Sequence, residues 1–234
     1  MEKRFTGFYA ASVADLETEY VYQRAYRLLP EERQLRVERY RFLKDKRLSL
    51  GAFLLLLWGL GEWGISSEDL EICYHENGKP YLGNRNGVFF NLSHSGEYVI
   101  CAVSEKEVGC DVEKISEYRE GVAKRFFSSS EYEMLLDLKT EQEKAEIFFR
   151  LWTLKESYIK AIGKGLSMPL DSFSFSFEAP MVQEFAGEKY YFREFDIHTE
   201  YKCALCGKDS NIGDEKGVNL KILSLSNVIE ALEA

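Results

Sequence analysis

Nothing in this sequence is long and apolar enough to cross a bilayer. The run Ala52–Trp58 falls well short of the about 20 apolar residues a spanning helix needs, and it reads as a buried helix instead. Met1–Gly7 is charged and lacks the apolar run of a signal peptide, so a soluble, cytoplasmic protein with no membrane contact is expected. Low-complexity linkers and clear repeats are also missing, which leaves no marked domain boundary. An excess of positive charge is absent: 39 acidic against 30 basic residues give a net charge of −9, and this argues against a dedicated nucleic-acid binder. The five cysteines are an odd number, which suggests reduced thiols rather than a disulfide framework. Cys203 and Cys206 form a lone C-x-x-C, but on a strand residues three apart face opposite sides, so both read as core thiols.

What is present is a chain with enough apolar content, 45% of 234 residues, to bury a substantial core. Charge is uneven along it. Residues 24 to 47 carry nine Arg or Lys against four acids, a local +5 within a −9 protein. Periodicity predicts a strand over Phe5–Ala11, a helix over Asp15–Leu28, a basic amphipathic helix from Pro30 and an apolar helix over Lys44–Leu60. From Leu70 the period shifts toward two, giving strands at Leu70–Tyr74, Val88–Asn91, Tyr98–Val103 and Val108–Val112. Asn91–Gly96 breaks that pattern and reads as a loop, either ligand-binding or a turn with capping hydroxyls. Helices follow at Gly121–Phe127, Tyr132–Leu138 and Gln142–Ile162, with Ser128 and Glu131 in a capping-box pattern. The second half ends as an antiparallel sheet, with the alternating Phe173–Phe177 paired to Lys189–Asp196 and Tyr201–Gly207.

Two stretches carry chemistry. On a strand, Asp111 and Glu113 project from one face, two residues apart. On a helix, Trp152, Glu156 and Lys160 recur every four residues, stacking a carboxylate next to an ammonium. Three carboxylates and a lysine can then converge, and hard oxygen ligands without nearby His or Cys favour magnesium completed by substrate phosphates. Each motif also has a plainer reading, as the wet face of a strand and a surface ion pair. Ser93, His94 and Ser95 lack the G-x-S-x-G elbow of a hydrolase nucleophile. Lys79, in Gly78-Lys79-Pro80, sits on a rigid corner where it can meet a phosphate or face water.

Five motifs in order, Gly78-Lys79-Pro80, Phe90–Ser95, Val108–Glu113, Arg125–Ser128 and Trp152–Ser157, resemble the 4′-phosphopantetheinyl transferases of the larger, surfactin-synthetase-activating type. The resemblance spans about residues 30 to 207. It implies an α+β pseudo-dimer of two similar halves, residues 1–106 and 107–234, each an antiparallel sheet packed with helices. The active site would lie in the cleft between them, in a monomer. The implied reaction moves the 4′-phosphopantetheine arm of coenzyme A onto a serine of an apo acyl or peptidyl carrier protein, magnesium-dependent, releasing adenosine 3′,5′-bisphosphate.

By that resemblance Asp111, Glu113 and Glu156 are the metal ligands, and Glu156 and Lys160 the catalytic pair. Arg47, Lys79, Ser93, His94, Lys155 and Lys160 are the coenzyme A contacts. Where related enzymes place lysines just after the equivalent of Pro30, this chain has Glu32 and Leu35, so Arg33, Arg36 and Arg47 become candidates for the 3′-phosphate. The carrier is expected near Arg119–Phe127 and Ser128–Leu138. The rival readings are a magnesium-dependent nucleotide phosphohydrolase and a non-catalytic coenzyme A or carrier-binding protein.

Overall fold

The structure, a computed structural model, describes residues 6–67, 70–177 and 181–234; the charged opening at residues 1–5, with the start of the strand expected from Phe5, lies outside them. Strand β1 (Gly7–Ser12) leads through a short 3-10 turn at Val13–Glu17 into helix α1 (Glu19–Arg27). Pro30 is the N-cap of α2 (Glu31–Glu38), whose first-turn acids complement the helix dipole. Helix α3 (Leu43–Glu62) is buried over most of its length, as its all-round apolar sequence requires. The chain continues through β2 (Ile72–Tyr74), β3 (Pro80–Leu82), β4 (Phe89–Ser95), β5 (Tyr98–Ser104) and β6 (Val108–Lys114). Helices α4 (Glu120–Phe126), α5 (Ser129–Leu136) and α6 (Glu141–Ile162) follow. Strands β7 (Val182–Phe185), β8 (Glu188–Glu194), β9 (Tyr201–Gly207) and β10 (Leu220–Leu223) and helix α7 (Leu225–Glu233) complete the chain.

The strands form one sheet in the order β10–β1–β5–β4, a second in the order β6–β9–β8–β7, and the small β2–β3 hairpin. The inward faces of the two larger sheets share a core that includes Phe8, Ile100, Val108, Val112 and Leu205. On the outer face of the first sheet, α3 and α7 build a second core around Leu50, Phe53, Leu60, Val99 and Val103. On the outer face of the second, α6 does the same with Leu151, Leu154, Tyr158, Phe192 and Ala204. The result is helix, sheet, sheet, helix: an α+β fold of two similar halves. Cys203 and Cys206 fall in different cores, as their spacing on a strand dictates, and both are free thiols. Among the described residues no helix is long and apolar enough to cross a membrane.

Three expectations need correcting. Asn91–Gly96 is not a loop: β4 runs through Ser95, paired in register with β5 from Phe89↔Ser104 to Ser95↔Tyr98. Gly96, at φ +61°, then opens a two-residue turn, the left-handed backbone that glycine adopts freely. The alternate positions Asn91, Ser93 and Ser95 are polar because they meet β6, not solvent. Phe173–Phe177, despite its clean alternation, joins no strand ladder. Side chains take its backbone instead: Lys155 Nζ donates to Phe173 O, Phe175 N donates to Glu131 Oε1 and Gln183 Nε2 donates to Ser174 O. Finally, a first half ending at residue 106 omits part of its own sheet. β10 pairs in parallel with β1, and α7 buries Leu225, Val228 and Ile229 in the first core.

Candidate active site

β4 and β6 are the edge strands of the two sheets, and the seam between them is polar. Asn91 Oδ1 accepts from Cys110 N at 2.8 Å, Ser93 Oγ donates to Asp111 Oδ1 at 2.8 Å, and Ser95 Oγ donates to Glu113 Oε2 at 2.7 Å. Asp111 and Glu113 do share the strand face turned toward α6, as their spacing predicts.

Helix α6 begins with a capping box, Thr140 with Glu143, and ends at Gly163, whose φ of +69° suits a C-terminal glycine. It lies unusually close to β6. A Cβ on Gly109 would stand 2.2 Å from Ser157 O and 2.4 Å from Ala161 N, so only glycine allows the approach. That contact brings Lys160 to Asp111, with 2.5 Å between Nζ and Oδ1. The same ammonium donates to Ser93 Oγ at 3.1 Å and Cys110 O at 3.4 Å.

Electrostatics mark the cluster. Asp111 is 3% exposed, and its Oδ2 is buried without a hydrogen-bond partner. Burial, then the neighbouring Asp111, pushes the Glu113 carboxyl up to about 7. Glu156 is also raised by burial, with Lys160 acting against the shift and Asp111 adding to it. Lys160 is raised despite its burial, because Asp111 holds the charged form. His94, exposed at the surface yet crowded by its neighbours, is lowered by desolvation and then by Lys160. These are like charges gathered around one ammonium, the arrangement that marks a candidate functional site. As the side chains stand, no three His, Cys, Asp or Glu among the described residues close on a common point.

His94 connects the cluster to a cavity of about 160 Å3 whose wall includes Arg33, Arg36, Tyr40, Ser49 and Tyr74. Arg33 donates to Ser49 Oγ and Arg36 to the Tyr74 hydroxyl. Arg47 does not reach that wall; it lies beside Glu17, 3.7 Å from its carboxylate. A larger cavity of about 780 Å3, with Lys79, Arg85 and Lys164 in its wall, touches none of the four charged residues at the seam. The chemistry, not the volume, therefore locates the site. The Lys79 ammonium donates to Ala161 O and Val108 O, and burial pulls it down to about 8, with Glu107 opposing.

Lys155 does not belong with these groups. It is fully buried, paired with the equally buried Glu131 at 2.8 Å, and donates to Leu170 O and Phe173 O. One residue before Glu156 means about 100° of rotation around the helix, which carries Lys155 off the seam and into the third core. The signal was available in the sequence: Leu151, Leu154, Lys155 and Tyr158 trace an i, i+3, i+4, i+7 stripe that is otherwise apolar. Glu131 makes the expected capping box with Ser128, and is a core ion as well. Sequence reasoning missed Asn91 and Gly109, whose roles arise from what the neighbouring half presents.

The family model for the 4′-phosphopantetheinyl transferase superfamily matches residues 107–206, and the model described as 4′-phosphopantetheinyl transferase, N-terminal, matches residues 17–106. A 4′-phosphopantetheinyl transferase of Bacillus subtilis is 36% identical over 183 residues, 75% of this chain and 79% of the relative. The 4′-phosphopantetheinyl transferase gsp of Aneurinibacillus migulanus is 34% identical over 202 residues, 85% of this chain and 84% of the relative. The human L-aminoadipate-semialdehyde dehydrogenase-phosphopantetheinyl transferase is 32% identical over 160 residues, 62% of this chain and 52% of the relative. With both halves matched and this identity sustained over most of its length, the chain belongs to the 4′-phosphopantetheinyl transferases.

Proposed function

We propose that this transferase takes the 4′-phosphopantetheine arm from coenzyme A and delivers it to a serine of an apo carrier protein at the β4–β6 seam, with Asp111, Glu113 and Glu156 holding a magnesium ion. The observation that carries the reading is the Asp111–Lys160 pair: an ammonium 2.5 Å from one carboxylate oxygen while the other, Oδ2, is buried with no partner. A buried, unsatisfied anionic oxygen is costly. Glu113 and Glu156 are raised by burial first and by Asp111 in addition, and a hard divalent cation suits this donor set. When bound, the ion would neutralise charge on the pyrophosphate oxygens.

The remaining roles fall to the chain's own residues. Lys160, fixed by Asp111 and Ser93, places its ammonium where negative charge develops on the departing phosphate. Glu156, on the same face of α6 as Lys160 and one turn before it, accepts the proton of the carrier serine. Ser93 and His94 contact the phosphates. Arg33 and Arg36, in the cavity wall beside His94, receive the adenosine 3′-phosphate. The carrier docks on α4 and α5, where Leu136 stands 51% exposed.

The test is to incubate the protein with coenzyme A, magnesium and a panel of apo carriers and weigh each carrier intact. A mass gain of one phosphopantetheine, lost with magnesium chelation, is expected. Release of adenosine 3′,5′-bisphosphate without any carrier would instead identify a phosphohydrolase.

A further inference from the structure

We infer that Lys79 is a positioning residue: its ammonium spans from the β2–β3 hairpin of the first half to β6 and α6 of the second, fixing Asp111 and Lys160 against each other. Lys79 Nζ donates to Ala161 O at 2.9 Å and to Val108 O at 3.3 Å. Ala161 follows Lys160 directly, and Val108 lies three residues before Asp111. One side chain thus grips both peptide segments that carry the pair.

The two acceptors are carbonyls that their own elements leave open. Ala161 O lies in the last turn of α6, where helical carbonyls have no intrahelical donor and a cation meets the negative end of the dipole. Val108 O belongs to β6, an edge strand whose ladder with β9 occupies only one side. Along that open edge, Lys79 takes Val108 O, Asn91 takes Cys110 N, and Lys160 takes Cys110 O. Between them lies Gly109, where β6 and α6 come closest. Lys79 therefore clamps the contact that sets the distance from Asp111 to Lys160. Among the described residues it has no carboxylate partner that would hold it elsewhere. The hairpin contributes the rigidity: Pro80 follows Lys79, and the tight turn ahead of it passes through Gly78 at φ +84°.

This inference rests on the proposed roles of Asp111 and Lys160, so Lys160→Ala is measured beside Lys79→Met and Lys79→Arg. Readouts are kcat, the KM for coenzyme A, and amide hydrogen exchange over residues 157–163. Misplacing a reacting group by about 1 Å costs up to ~100-fold in rate. Lys79→Met should therefore lower kcat by about tenfold or more, leave the KM for coenzyme A within about threefold, and speed exchange at residues 157–163. Lys79→Arg, which can still span two carbonyls, should recover part of kcat and of the protection.

A large rise in KM with kcat preserved would overturn the inference and make Lys79 a substrate contact. Unchanged kcat and exchange would overturn it equally. Should Lys79→Met not fold, Lys79→Gln, which keeps a donor, serves the same comparison. If Lys160→Ala retains turnover, the proposed site fails, and exchange over residues 157–163 in the Lys79 variants still decides whether the clamp exists.

Discussion

Glu113→Gln should make the metal-free protein more stable, and only at neutral and alkaline pH. In the folded chain the carboxyl is raised from 4.5 to about 7, by burial first and by Asp111 second. With the folded value above the unfolded one, the native state keeps a proton that the unfolded chain has released. Stability therefore falls as pH rises from about 4.5 and the full cost is in place above about 7. At about 1.4 kcal/mol for each tenfold, that cost approaches ~3 kcal/mol by pH 8, as a ceiling, because residual solvent screens part of it. Glutamine removes the charge and still offers Ser95 Oγ an oxygen to donate to, replacing the 2.7 Å bond. Denaturant melts of both proteins with chelator, at pH 5 and pH 8, measure the effect. The variant should gain about 1–3 kcal/mol at pH 8 and under about 1 at pH 5. A gain equal at both pH values, or a loss at pH 8, would refute the electrostatic account of the seam. Added magnesium should narrow the gap at pH 8 by stabilising the wild type.

Asp111→Ala should abolish carrier modification while circular dichroism stays near wild type; the melt should fall, because Lys160 and Ser93 lose the buried carboxylate they bond to. Lys160→Ala should lower turnover on the order of 100-fold or more with a smaller change in coenzyme A affinity; turnover near normal would return Lys160 to a structural ion pair. Gly109→Ala should push α6 from β6, because a Cβ would meet Ser157 O at 2.2 Å; loss of both stability and turnover is expected, and a melt and rate like wild type would deny the close approach. Glu131→Ala should cost about 3–5 kcal/mol by leaving Lys155 buried without its counter-charge. Lys155→Met should cost less while sparing coenzyme A affinity, and calorimetry that showed lost coenzyme A binding would put Lys155 back in the site.

The sequence alone determined the elements with strong local codes. Pro30 and the acids after it start α2, the Ser128–Glu131 capping pair opens α5, the apolar run fixes α3 as core, and period-two alternation marks β5, β6, β8 and β9. It also aligned Asp111 with Glu113 and Glu156 with Lys160, because each pair lies within one element and its spacing is a matter of helical or strand period. Tertiary structure decided whatever depends on a partner distant in the chain. Ser93 and Ser95 are strand residues because carboxylates 18 residues on accept their hydroxyls. Phe173–Phe177 stays out of the sheet because Glu131, Lys155 and Gln183 claim its backbone. Lys155, set on the apolar face of α6 by helical period, finds there the buried carboxylate of Glu131, and β10 returns to the first sheet because β1 has an open edge. Period sets which face a residue occupies; only the assembled fold sets what that face meets.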